Sequence, residues 1–253
     1  MAKLFLLMSM CSWSSCRILI PAHQQQFSTR QLYREAVEQA MTPDSSKIDS
    51  QLIRIIQTNK ALIWRTINGE VYLLMISWKN NVSYYRPYTD SLFYNTGNYP
   101  IWVTAAPELK ERMKKESGGD QDLRLKQLLG LPPDSQFKWF VEFWVRPVDL
   151  LRPCPDSEIT DDRCQLFFPQ KTDSAYIQWI NANRISRYYQ QKLYANYPWT
   201  QLGYTYDWSP KNKTHKGLSE FVIGSHRKIV VGKIISTADY LNTAENGTAI
   251  RLR

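Results

Sequence analysis

The sequence predicts an α+β fold in which a central, mainly antiparallel sheet is covered by helices, and three observations carry that prediction. Trp139 to Arg146 alternates large apolar residues in the strand period of two. Asn68-Gly69 lies between two strand-like runs and supplies the positive φ angles that a tight hairpin turn needs. Capped segments with helical apolar spacing lie on both sides of these strands. With 253 residues, 43% of them apolar, the chain is long enough to bury a core of its own.

In order, residues 1–22 read as an export signal, 23–27 as a polar spacer, 28–241 as a single α+β domain and 242–253 as a flexible tail. Lys3 precedes the apolar run Leu4 to Met8, and the small residues Ser14 and Ser15 follow it, the order of a secretory signal. Two processing points stay open. Trp13-Ser14-Ser15-Cys16 resembles a lipobox, which would make Cys16 a lipidated first residue, while ordinary cleavage would fall after Ala22. A lipid on Cys16 would tether a globular domain to a membrane rather than pass it through. The competing reading is a buried N-terminal helix, in which Arg17 falls mid-face.

Ser28 can cap a helix from Thr29 to Met41, which Pro43 stops. Ile48, Leu52, Ile55 and Ile56 predict a second helix within Ser45 to Asn59. Ala61 to Ile67 and Val71 to Trp78 form the hairpin. Tyr84, Tyr85, Tyr88, Phe93, Tyr94 and Tyr99 then crowd a polar loop, either as cover over the sheet or as a stacking surface for a flat ligand. Ile101 to Thr104 is a strand, Pro107 opens a helix through Lys115, and Asp122 caps another that Gly130 and Pro132 end.

On the Trp139 to Arg146 strand, Trp139, Val141, Phe143 and Val145 make the core face. Phe140, Glu142, Trp144 and Arg146 take the other, with Glu142 and Arg146 about 13 Å apart, too far for a direct pair. Leu166 to Phe168 predicts a short strand, and Thr172 or Asp173 caps a helix to Tyr194. Glu220 to Ile223 and Lys228 to Ile235 read as a closing hairpin, and Thr237 caps a last turn through Leu241.

Beyond Cys11 and Cys16 the chain has only Cys154 and Cys164. In an oxidising compartment they would join, a bridge worth up to about 3 kcal/mol through loop-closure entropy; the alternative is two buried thiols. A zinc site is not expected, because two cysteines supply half a ligand set and His23, His215 and His226 lie elsewhere. Asp156, Glu158, Asp161 and Asp162 could offer oxygens to calcium, but without EF-hand spacing or a glycine they read as a solvated acidic loop. No metal or cofactor is expected.

Several segments resemble a family of exported bacterial proteins of unassigned function. They are Trp102 to Leu109, Leu128 to Pro133, Arg146-Pro147 with Arg152 to Asp156, Asp162 with Cys164, and Pro198 to Trp208. The resemblance spans roughly residues 102 to 241. It implies export and supports the cysteine pair, and it brings no activity with it.

The net charge of +9 is scattered rather than striped, so nucleic acid is not an expected partner. Nucleophilic catalysis is disfavoured by the lack of a nucleophile-elbow pattern. For acid/base hydrolysis the candidate carboxylates are Glu142 and Asp207, which also read as an arginine-paired strand residue and a backbone-bonding turn residue. Candidate ligand contacts are Trp144, Arg146, Trp199, Tyr204, Tyr206 and Trp208, residues that can equally fill a core. The expectation is a non-catalytic binding or assembly protein of the bacterial periplasm or cell envelope, membrane-tethered, with a glycan or envelope protein as partner. The alternative is a carboxylate-dependent hydrolase of envelope glycans.

Overall fold

The computed structural model describes residues 28–89, 93–116 and 118–245. The export signal, the spacer, Cys16 and Ala22 lie outside the described residues.

Helix α1 (Thr29–Ala40) starts where the Ser28 side chain accepts from the Gln31 N–H, and it buries Tyr33, Ala36, Val37 and Ala40 along one stripe. The helix expected over Ser45 to Asn59 does not form beyond a single 3₁₀ turn at Ser45–Lys47. Its backbone is spent on tertiary partners instead. The N–H groups of Leu52, Ile53 and Ile55 donate to Asp162 O, Ser219 Oγ and Ile159 O, so the apolar spacing marks one buried side of an extended segment.

Strands β1 (Trp64–Ile67) and β2 (Glu70–Lys79) make the expected hairpin, turned by Asn68 at φ 49° and Gly69 at φ 83°. After β3 (Phe93–Asn95) and β4 (Ile101–Ala105), α2 (Ala106–Lys114) begins with Pro107 in its first turn. The N-cap of α3 (Gln121–Leu128) is Asp120 rather than Asp122, accepting from the Leu123 N–H at 3.0 Å. Then come β5 (Trp139–Val145), β6 (Leu150–Leu151) and α4 (Ser174–Tyr188), the last capped by Asp173. Helix α4 stops short of Tyr194 because the Asn196 side chain bonds both the N–H and the carbonyl of Gln190. Leu166 to Phe168 is not a strand, and Phe167 is exposed.

Strands β7 (Tyr204–Tyr206) and β8 (Lys216–Ser219) form a separate pair. Next are β9 (Phe221–Ile223), β10 (Lys228–Ser236) and α5 (Thr237–Glu245), which carries the helix past Leu241 into the expected tail. The expected closing hairpin is absent: β9 pairs with β4 and β6, and β10 with β5 and β3. All three residues of β9 are fully buried, so the strand belongs inside the sheet between two partners rather than at an edge.

The large sheet has eight strands, seven in the order β3-β10-β5-β2-β4-β9-β6, with antiparallel strand pairs throughout. Leu73 pairs with β1 on one side and β5 on the other, and Met75 with β4 and β5, so β1 and β4 share one flank of β2. Among the described residues, five α-helices accompany the sheets. The fold is α+β with a mainly antiparallel sheet.

Strand β5 is covered on both faces, not one. Val141, Phe143 and Val145 join Leu73, Met75 and Tyr85 on the first face, whereas Phe140 and Trp144 pack with Leu109, Leu125 and Tyr240 from α2, α3 and α5 on the second. A strand buried between two layers loses its alternation of wet and dry faces. A third apolar cluster joins α1 and α4 to Trp199, Tyr206 and Trp208. In the Tyr84 to Tyr99 segment only part of the aromatic load is cover: Tyr85 is buried 5.2 Å from the Phe143 ring with Tyr94 edge-on to it, whereas Tyr84, Phe93 and Tyr99 are exposed.

Candidate functional site

The candidate carboxylates are not brought together in one cavity. Asp207 is fully buried and held on all sides: Arg124 grips it in a bidentate pair at 2.8 Å and 2.8 Å, Asn212 Nδ2 donates at 2.8 Å and the Ser209 N–H at 3.1 Å. A carboxylate so saturated ties α3 to the turn that follows β7. Glu142 accepts weakly from the Lys233 N–H at 3.4 Å, and burial pushes its carboxyl up. Arg146 bonds Asp149 and Glu70 at 2.8 and 2.9 Å instead of Glu142.

Trp208 and Tyr204 are core residues as well. The Trp208 indole N–H donates to the carbonyls of Lys126 and Leu131, the Tyr204 hydroxyl donates to Lys47 O, and both rings are buried. Trp144 is buried under Arg65, whose guanidinium lies 5.7 Å from the ring centre. The acidic loop is tied down by basic partners: Asp161 by Arg152 at 2.7 Å and Asp162 by Arg163 at 3.1 Å. Among the described residues no cluster of histidine, cysteine and carboxylate side chains is arranged to hold a metal ion. Cys154 and Cys164 are joined in a disulfide, with Cα atoms 6.3 Å apart. Gly203, at φ 76°, passes over the bridge; a Cβ there would lie 2.7 Å from Cys164 Sγ and 2.6 Å from Arg152 Cδ.

An apolar, aromatic-walled cavity lies elsewhere, half open to solvent, between the sheet and the segments that follow α3 and α4. Its volume is about 250 Å³. Ile76, Trp78, Trp102 and Thr104 come from β2 and β4, Leu129, Gly130 and Leu131 from the segment just after α3, Pro198 and Trp199 from the chain leading into β7, and Tyr206 from β7 itself. Two of the expected aromatic contacts, Trp199 and Tyr206, therefore reach it. The walls are stacked: Trp102 lies edge-on to Trp199 at 6.0 Å and parallel to Trp179 at 6.3 Å, and Tyr206 stacks on His215 at 4.9 Å.

Three charged side chains line this apolar space: Arg187, Glu220 and Lys79. Arg187 projects from the last turn of α4 onto the faces of Trp102 and Tyr197, 4.8 and 5.1 Å from their centres. Its guanidinium has no hydrogen-bond or ion-pair partner among the described residues, and its Nε is shielded from water. Glu220 enters between β8 and β9, its own N–H held by Gly203 O at 2.9 Å. Its Oε2 is also shielded and unpartnered, as is the Thr104 hydroxyl. Glu220 keeps some contact with solvent as a residue, yet burial of the carboxyl pushes its pKa up to about 8 despite the opposing field of Arg187. Burial likewise brings Lys79 down to about 8 and lowers Arg187.

Small cavities that bind ligands combine apolar walls with a few convergent polar groups, and three of the shielded orphan polar atoms belong to the lining of this one. None of Arg187, Glu220, Thr104 or Lys79 is among the residues that sequence reasoning selects. The available signal was a carboxylate opening an otherwise apolar strand at Glu220-Phe221-Val222-Ile223, and an arginine beside tyrosines on a helix at Arg187-Tyr188-Tyr189. No helix among the described residues is long and apolar enough to cross a membrane. Compared with family models, curated proteins and solved structures, the chain matches none.

Proposed function

We propose that the protein is a binding module that takes a small flat ligand into the cavity between β2, β4 and the segments after α3 and α4. The observation that carries this reading is the joint presence of aromatic walls and of lining residues whose polar atoms have no partner within the chain. A buried polar group without a partner is costly, so a fold that retains several in one cavity wall is suited to a ligand that supplies them. At about 250 Å³ the space is smaller than the roughly 300–1,000 Å³ of drug-sized sites and suits a ligand of one or two rings.

Paired-carboxylate hydrolysis has less support, since that chemistry needs two carboxyl groups about 5–10 Å apart and Glu220 is the one carboxylate among the residues lining the cavity. An exported, oxidising location in the cell envelope belongs to the same proposal. It is supported by the Cys154–Cys164 bridge, because such bonds persist outside reducing compartments.

The test is ligand-observed NMR with a panel of planar one- and two-ring compounds of all charge types, run on the whole protein and on Leu131→Trp, which fills the cavity. Saturable binding that Leu131→Trp abolishes is the expected result. Binding that survives the filled cavity would remove the site from consideration.

A further inference from the structure

Building on the cavity as a ligand site, we infer that its ligand is a small organic anion, a carboxylate on a planar apolar body, whose negative group is taken by Arg187 while its ring lies among Trp102, Trp199 and Tyr206.

The argument begins with the charge of Arg187. Guanidinium groups stay protonated in proteins, so Arg187 carries its charge whether or not a partner is present. Arg187 is half-buried, with its Nε shielded from water, and the field of an unpaired cation is felt more strongly where water is scarce. The acid whose field Arg187 shares, Glu220, forms no ion pair with it, and with a pKa near 8 that carboxyl is mostly protonated at neutral pH. A neutral carboxyl cannot balance the guanidinium. It can, however, donate a hydrogen bond, and so can the Thr104 hydroxyl. Lys79 adds a second basic group to the lining. The cavity lining is thus rich in donors and positive in charge, complementary to one anionic group.

The shape argument selects the rest of the ligand. Arg187 lies over the Trp102 ring, 4.8 Å from its centre, and Trp102 stands edge-on to Trp199. A guanidinium carries its donors in one planar fork, which matches a planar carboxylate. A compact phosphate would satisfy the charge but leave the apolar lining empty. A cation would face both Arg187 and Lys79.

An isosteric series decides the question, with benzoate, benzamide and benzylamine titrated into the whole protein at pH 7 by calorimetry. Benzoate is expected to bind about tenfold more tightly than benzamide, the ratio by which a charge-assisted hydrogen bond exceeds a neutral one, and benzylamine not at all. In Arg187→Gln, checked for folding by circular dichroism, benzoate should fall to the level of benzamide while benzamide is unchanged. Arg187→Lys, which keeps the charge, should retain part of the preference. Benzamide binding as well as benzoate to the wild type, or benzylamine binding best, would overturn the anion assignment while leaving the cavity as a ligand site. Binding by none of the three at millimolar concentration would overturn both. Equal loss of preference in Arg187→Gln and Arg187→Lys would show that the charge of Arg187 is not what selects the ligand.

Discussion

Two arginines, Arg152 and Arg187, meet opposite treatment in one fold. Arg152 is wholly buried beneath the disulfide loop, where its terminal nitrogens donate four hydrogen bonds: to Asp161 Oδ1 at 2.7 Å, Arg163 O at 3.1 Å, Ile53 O at 2.9 Å and Asp161 O at 3.0 Å. Arg187 keeps some exposure in the cavity and rests only on ring faces. Burial lowers the pKa of both, so desolvation is common to them and hydrogen bonding is the difference. A cation whose terminal nitrogens are both bonded ties segments together, and in Arg152 only the Nε is left without a partner. One whose donors are free is available to something outside the chain.

The largest effect that can break this comparison is loss of Arg152. It joins the extended segment at Ile53 to the loop at Asp161 and Arg163, and its stem packs beneath Gly203. Arg152→Ala should cost about 3–5 kcal/mol in chemical denaturation, from unsatisfied carbonyls, a stranded Asp161 and a cavity. A loss below about 1 kcal/mol would mean that its four hydrogen bonds are replaced by water, and the contrast with Arg187 would disappear.

The disulfide beside it comes next. Closing a loop of this length should contribute about 3 kcal/mol through the entropy of the unfolded chain, so the Cys154→Ala, Cys164→Ala double variant should lose that amount. Denaturation of both proteins under the same oxidising conditions measures it. A much smaller loss would show that Arg152 alone holds the loop.

Legibility in the sequence divides along the same line. Trp139 to Val145, the Asn68-Gly69 hairpin, α1 and the start of α2 were readable because local chemistry and tertiary packing agree there. Ser45 to Asn59 was not, because its helical apolar spacing is outweighed by hydrogen bonds to Asp162, Ile159 and Ser219, distant residues that no local pattern announces. The β9–β10 hairpin failed for a related reason: short apolar strands take partners by burial, and β9 found β4 and β6. Within the site, Trp199 and Tyr206 were visible as part of an aromatic run. Arg187 and Glu220 were not, since an exposed arginine on a helix and a buried one under an indole look alike in sequence.

A third experiment sharpens the cavity side through pH. Glu220 titrates near 8 when folded and near the ordinary carboxylate value of about 4.3 when unfolded. The folded state therefore binds the extra proton between these values, and stability falls as pH rises from about 4.3 to 8, then levels off. Glu108, pushed up to about 7 by burial, adds a descent of the same sign, and Lys79, brought down to about 8, adds a rise between 8 and about 10.4. Glu220→Gln removes one contribution only. Its melting temperature, measured against wild type, should gain steadily from pH 5 to 8 and hold that lead above it. A constant difference across the range would show that Glu220 is ionised in the folded state, and the positive balance assigned to the cavity would fail.

The smallest expected effect is on the stability of the empty protein when Arg187 is replaced. Arg187→Met keeps the stem against Trp102 and Tyr197 but gives up two cation–π contacts, each worth about 0.5–1 kcal/mol at partly exposed sites. Against that loss stands the removal of a desolvated charge with no acid to balance it, and apolar replacements of buried charges are often neutral or stabilising. The two terms are of similar size, so Arg187→Met should unfold within about 1 kcal/mol of wild type while Arg152→Ala loses several times more. Denaturation midpoints of the two variants, measured side by side without ligand, give the result directly. Should Arg187→Met fall as far as Arg152→Ala, Arg187 would be a second structural tie, and its free donors would have no claim on a ligand.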